Sequence, residues 1–183
     1  MPKIVASKED WLKLGYSLFS QSGESGLIVE KMSKHLKCNK SSFYWHFKTK
    51  KDFINSLIDY WILNDTANII DQVNLQTSTR GKLLKLVEIT FKKDSNLDFI
   101  FYLKRYSRKD IIISRIVEKI DTQRILYVNN LLVELGYSKK DASLKANLFY
   151  KFLIGYHEMI RYKNQKKNYL DEVLLELSQF IKI

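Results

Sequence analysis

The stretch Asn39-Lys40-Ser41-Ser42-Phe43-Tyr44-Trp45-His46-Phe47-Lys48-Thr49-Lys50-Lys51-Asp52-Phe53 carries most of what the sequence says about the fold. Asn is a good helix N-cap, because its side-chain oxygen accepts from the free N–H groups of the first turn. A short helix from Asn39 through His46 sets Phe43 and Phe47 four residues apart on one face, where they would point inward and hold the helix down. Lys48 and Thr49 interrupt it. Thr49 then caps a longer helix whose apolar stripe includes Phe53, Leu57 and Tyr60 and which is expected to reach Val73.

Upstream, Trp11, Leu14 and Leu18, flanked by Tyr16 and Phe19, recur at helical intervals and give a first amphipathic helix ending near Gly23 and Gly26. A second short helix spans about Ile28 to Leu36, and Lys37 and Cys38 form a tight break before Asn39. Three short helices joined by tight turns within the first 51 residues fit a helix-turn-helix domain, in which the helix after the turn lies in the DNA major groove. The side chains suit that role. Lys40 can donate to guanine O6 and N7 or to a phosphate, Ser41 and Ser42 can hydrogen-bond bases or phosphates, and Tyr44 and His46 offer aromatic surface with polar tips. All-α proteins also contain helix-turn-helix corners that never touch DNA, so the shape alone leaves both readings open.

Charge bears on the choice. The 183 residues carry a formal net charge of +11. Residues 1–51 hold ten Lys and no Arg against four acids, a net +6, whereas residues 52–183 carry the remaining +5. So dense a local excess marks a surface for a polyanion, with scattered solvated lysines as the plainer alternative. Apolar residues make up 45% and aromatics 13%, too much to leave solvated, so a disordered tail is excluded. A single Cys forms no internal disulfide, and no paired Cys/His spacing suits zinc, which points to a reducing cytoplasm. Nothing near the start resembles a signal peptide, and no stretch approaches the roughly 18 apolar residues of a membrane span. No membrane association, metal or cofactor is expected.

Downstream the chain reads as helical throughout, since Pro occurs only at position 2. Asn74 to Thr79 reads as a turn, Arg80 to Lys93 as a helix, Asp94 to Asn96 as an interruption and Leu97 to Tyr106 as a short aromatic helix. Asp110 opens a long helix ending at Gly136, and Ser138 caps the next. In that helix Ala142, Ala146, Phe149, Leu153, Tyr156 and Ile160 alternate steps of four and three, and Leu170, Leu174, Leu177 and Ile181 repeat the seam on the last. Such seams close a hairpin within one chain or supply half of a four-helix bundle across a two-fold axis. Small residues at Ala142, Ala146 and Gly155 permit close backbone approach, which favours the second reading and a homodimer through Ala142, Ala146, Phe149, Leu153, Leu170, Leu174 and Leu177.

The run Phe43 to Phe53 resembles the signature of the tetracycline-repressor (TetR) family of bacterial transcription regulators. That signature is an apolar residue, Tyr, any residue, His or Tyr, Phe, two variable residues, then Lys, a charged residue and an apolar anchor. The resemblance covers roughly residues 7–60. It implies that Tyr44, His46 and Lys50 contact phosphates flanking the site, and that Lys40, Ser41 and Ser42 occupy the variable positions that read bases. With Asn39, Trp45 and Lys48 these make the expected DNA-binding set. A helix start with a lysine beside it is a natural phosphate clamp, in agreement with the role of Lys50. There are departures. Lys37 stands where the family usually has the turn Gly, so a residue with a Cβ must take the left-handed turn conformation. Val29 stands near a position often held by a capping Thr, and Glu30 would face DNA poorly.

The expected architecture is therefore all-α, with a helix-turn-helix DNA-binding domain in residues 1–50 and a larger helical dimerisation and effector domain in residues 51–183. By this reading the partners are a double-stranded, palindromic DNA operator, a second copy of the chain and a small apolar or aromatic effector. An aromatic pocket is expected from Phe99, Tyr102, Tyr106, Tyr127, Phe149, Phe152 and Tyr156, although each also fits an ordinary core position. His157 beside Glu158 does not make a site, because adjacent helical residues point about 100° apart. No G-x-G-x-x-G, Walker lysine, G-x-S-x-G or H-E-x-x-H is present, so the chain is read as a ligand-responsive repressor in the bacterial cytoplasm, at the nucleoid, rather than an enzyme. The competing expectation is an all-α interaction protein whose basic face binds anionic partners without reading sequence.

Overall fold

Capping side chains set several of the helix starts. In the computed structural model, which describes residues 6–93, 98–161 and 163–182, α1 (Lys8–Ser22) begins behind a reciprocal cap in which Ser7 Oγ accepts from the Asp10 N–H at 3.1 Å and Asp10 returns the bond to the Ser7 N–H. A single tight turn (Gly23–Gly26) leads to α2 (Val29–His35), and α3 (Lys40–His46) follows. Between them the chain turns at Lys37, a non-glycine residue with positive φ, +52°. Its N–H bonds the Lys34 carbonyl and the next N–H reaches back to Ser33, so the last carbonyls of α2 are satisfied as in a glycine-terminated helix. The strained conformation expected of Lys37 is present, held by those two hydrogen bonds.

Thr49 caps α4 (Lys50–Ile62) through the same reciprocal arrangement with Asp52. The helix expected to reach Val73 stops at Ile62; a wider five-residue turn (Leu63–Ala67) separates it from α5 (Asn68–Asn74). Thr66, a poor helix former, lies in that turn, and its Oγ1 accepts from Arg124 at 2.9 Å. Next come α6 (Thr79–Phe91) behind a Ser78 cap, α7 (Asp98–Ser107), α8 (Ile111–Glu134) behind Asp110, α9 (Lys139–Ile160) behind Ser138 and α10 (Tyr169–Leu177). Among the described residues no strand occurs. The expected interruption at Asp94 to Asn96, with Leu97, lies outside the described residues.

The chain divides into two compact units, one of residues 1–65 with 95–114 and one of residues 66–94 with 115–183. Packing therefore carries the first unit past the expected boundary at residue 50. The reason is its core: Trp11 and Phe19 of α1 bury with Phe53, Leu57 and Trp61 of α4 and with Phe99 and Leu103 of α7. Gly15 lets α1 and α4 approach so closely that a Cβ there would lie 2.4 Å from the Phe53 ring. In the second unit Val73, Leu83, Val87, Phe91, Leu132, Ala142, Ala146, Phe149, Val173 and Leu177 form one core. No helix among the described residues is long and apolar enough to cross a membrane.

Candidate nucleic-acid interface

The helix α3 is fixed from below by aromatic rings. Phe43 is fully buried, with ring centroids 5.2 Å from Trp11, 5.2 Å from Phe47 and 5.1 Å from Phe53, mostly in edge-on or tilted contacts. Such pairs contribute about 0.5–1.5 kcal/mol each beyond burial, so the helix has one seat on α1 and α4. Locking Phe43 and Phe47 inward turns Lys40, Ser41, Tyr44, Trp45 and Lys48 outward, all of them exposed. Trp45 is 77% exposed and Tyr44 56%, an unusual display of large aromatic surface on a helix of seven residues. The Trp45 indole stands edge-on to the His46 ring at 4.6 Å.

Asn39 precedes the helix with extended backbone, in the N-cap position, and is exposed, although its side chain makes no capping hydrogen bond. Lys50 is exposed at the first turn of α4, with Nζ donating to the Glu24 carbonyl at 3.4 Å. Its neighbour Lys51 pairs with Asp110 at 3.0 Å, and that hydrogen bond first of all holds the Asp110 carboxyl below its ordinary range. Lys40 pairs across to Glu30 on α2 at 3.2 Å.

Two of the expected DNA contacts are spent inside. Ser42 is buried: it accepts from the Trp11 indole N–H and donates to the Ala6 carbonyl, both at 3.3 Å. It lies two residues from the outward Tyr44 and one from the buried Phe43, so the turn of the helix carries it under, and it is not placed to read a base. His46 is half-buried with Nε2 2.8 Å from the same carbonyl. A carbonyl only accepts, so Nε2 carries the proton and Nδ1 is the nitrogen left for an outside partner. Both bonds depend on Ala6, 36 and 40 residues away in sequence, which no local pattern signals. Glu30, set aside as a poor neighbour for DNA, is the residue that sequence reasoning missed; its contact with Lys40 joins two helices and has no periodic signature.

The residues of the expected aromatic pocket are divided between the two units. Phe99, Tyr102 and Tyr106 belong to the first unit, and Tyr127, Phe149, Phe152 and Tyr156 to the second. Phe99 stacks on Tyr16 at 5.1 Å and on Trp61 at 5.3 Å, and Tyr102 donates to the Gln21 carbonyl. Phe149, Phe152 and Tyr156 surround Phe91 at 5.3–5.7 Å, and Tyr127 donates to Asn74. Burial of Tyr106 and Tyr127 pushes their hydroxyl pKa values up, which keeps them neutral hydrogen-bond donors. Phe99 and Phe149 are buried core rings, and the other five are half-buried.

The expected dimer seam is likewise taken up within one chain. Ala142, Ala146, Phe149, Leu153 and Leu177 are buried, and Leu170 and Leu174 pack partly buried on the same core beside α6. The heptad spacing thus closes the helices of a single protomer. A different face is left open: Leu144, Leu148, Gly155 and Met159 on α9, and Leu126 and Val133 on α8, all exposed. Between them runs a groove lined by Thr122, Ile125, Leu126, Asn129, Ser143 and Asn147.

No protein-family model and no curated protein matches the sequence. Solved structures do. A transcriptional regulator from Rhodococcus sp. Rha1 superposes with a TM-score of 0.79 at 14% identity, over 97% of this chain and 97% of that one. A candidate fatty acid metabolism regulator from Clostridium perfringens gives 0.71 at 20% identity over 95% and 99%, and a TetR-family transcriptional regulator from Marinobacter aquaeolei VT8 gives 0.71 at 13% over 96% and 98%. Similarity so low in sequence and so complete in coverage is similarity of fold, and this chain has the fold of the TetR-family transcriptional regulators.

Proposed function

We propose that this chain is a sequence-specific DNA-binding regulator of transcription that acts as a homodimer in the cytoplasm. The observation that carries the reading is α3, a short helix seated by buried rings with Lys40, Ser41, Tyr44, Trp45 and Lys48 on its outer face. Lys40 and Ser41 read bases, with Trp45 offering apolar surface to a thymine methyl. Tyr44, Lys48 and Lys50 hold phosphates and fix the register, and Asn39 lies at the edge of the same surface. Functionally, residues 1–50 bind DNA and residues 51–183 dimerise and respond to an effector.

In this reading two copies meet through the outer faces of α8 and α9, at Leu126, Leu144 and Leu148, and present two α3 helices to half-sites about 34 Å apart on a palindromic operator. Repression follows from occupancy of the operator. A small effector bound in the second unit lowers occupancy by favouring a dimer with a different helix separation. Within that unit, Tyr150 donates to Asp121 at 2.5 Å and Arg124 to Thr66 at 2.9 Å, a half-buried polar group able to exchange partners with a ligand. Desolvation pushes the Tyr150 hydroxyl pKa up, which keeps it a donor.

The test is selection of bound sequences from a random DNA pool, followed by salt titration on the selected site and a scrambled control. The reading expects a two-fold symmetric site bound about 10³-fold or more tighter than the control. Equal, steeply salt-dependent binding to any polyanion overturns it in favour of a basic surface that does not read sequence.

A further inference from the structure

The contact between Glu30 and Lys40 has a chemistry that neither residue has alone. Their side chains are 54–57% exposed and meet at 3.2 Å, Lys40 from the first position of α3 and Glu30 from the first turn of α2. An ion pair this exposed adds little to folding. It does set an ammonium donor and a carboxylate acceptor side by side, on the surface that carries Ser41 and Tyr44.

Resting on the DNA-binding reading above, we propose that Glu30 and Lys40 together read one G·C base pair, Lys40 Nζ donating to guanine and the Glu30 carboxylate accepting from the N4 amino group of the paired cytosine. In the major groove guanine shows acceptors at N7 and O6, and its cytosine shows the N4 donor. O6 and N4 are bonded to each other within the pair, about 2.9 Å apart, which matches the spacing of the two side chains. The ammonium has three N–H donors, so it reaches guanine without releasing Glu30. The other pairs fit worse. T·A also offers an acceptor beside a donor, but it sets the thymine methyl against Lys40 and the N7 lone pair of adenine against the carboxylate. A·T and C·G reverse the order of donor and acceptor. The ammonium also screens the carboxylate from the phosphates, so an acidic residue can sit at a DNA-facing surface.

The intact chain and its Glu30→Gln, Glu30→Ala and Lys40→Met variants are put through the same random-pool selection, with melting curves to confirm folding. The unaltered chain is expected to fix one G·C pair in each half-site. Glu30→Gln is expected to raise T·A at that position by roughly tenfold relative to G·C, because an amide pairs with adenine N6 and N7. Glu30→Ala is expected to lose roughly tenfold of the discrimination against T·A there, and Lys40→Met the preference for guanine. An unchanged preference in Glu30→Gln and Glu30→Ala overturns the proposal. So does a uniform change in affinity with the same selected sequence, which makes Glu30 a tether for Lys40. If the unaltered chain enriches no sequence, the DNA-reading function itself fails, an outcome visible before any variant is compared.

Discussion

Ser41 and Ser42 are adjacent, chemically identical and opposite in role, and substituting each by alanine separates folding from recognition. In Ser42→Ala the Ala6 carbonyl keeps His46 as a donor at 2.8 Å, but the indole N–H of fully buried Trp11 loses its acceptor. An unsatisfied buried donor costs about 1–3 kcal/mol; because the lost bond is long, 3.3 Å, the lower half of that range applies, about 1.5 kcal/mol. Alanine returns about 0.5 kcal/mol of helix propensity, leaving a net loss of about 1 kcal/mol. For a chain of this length that lowers the melting temperature by about 2–4 °C. Ser41→Ala, on the exposed face, is expected to change stability by less than about 0.5 kcal/mol and to alter base preference at one operator position. Calorimetry measures the first quantity and sequence selection the second. Repeating Ser42→Ala in a Trp11→Phe background, where no indole N–H remains, is expected to remove most of the cost, a coupling of about 1 kcal/mol. Unchanged melting in Ser42→Ala, together with a base preference altered as strongly as in Ser41→Ala, would refute the inward placement of Ser42.

Other substitutions probe other elements. Gly15→Ala brings a methyl to 2.4 Å from the Phe53 ring and forces α1 and α4 apart; a loss of about 1–3 kcal/mol is expected in urea unfolding, and a neutral result contradicts the close packing. Lys37→Gly relieves the positive φ of the turn at some cost in chain entropy, for a net gain of about 0.5 kcal/mol in the same assay; destabilisation would mean the lysine side chain contributes more than its backbone costs. Leu148→Glu, on the outer face of α9, is expected to sediment as a monomer at concentrations where the unaltered chain is dimeric, whereas a variant still dimeric puts the interface elsewhere.

Local chemistry made much of this fold legible. The left-handed turn at Lys37 is expected from the family resemblance, whereas the reciprocal cap at Thr49 and Asp52 and the Ser138 cap each join residues three positions apart, so the sequence spacing is the interaction. The inward pair Phe43 and Phe47 is legible for the same reason, and with it the outward set on α3. The end of α4 was not, because a stripe of apolar residues continues to Val73 and hides a turn whose Thr66 is claimed by Arg124, 58 positions on. Ser42 failed similarly. Helical spacing assigns it to the edge between the two faces of α3, and only the arrival of Ala6 and Trp11 decides which side it joins.

The seam on α9 and α10 shows where periodicity stops. A heptad pattern states that one face of a helix is buried and has no means of stating by what, since the same Ala142, Ala146, Phe149 and Leu153 satisfy a neighbour in the same chain or in another. Those residues were claimed from within the chain, by the core they share with α6. The face that remains is marked by what a periodic reading discards: Leu144 and Leu148, four apart and off the seam, 58% and 48% exposed. Two leucines left in water beside Gly155, where a Cβ would meet nothing within 4 Å, form a surface with room for another helix to approach. With the core of the chain already closed, these exposed leucines at helical spacing are the surface whose role in assembly Leu148→Glu tests.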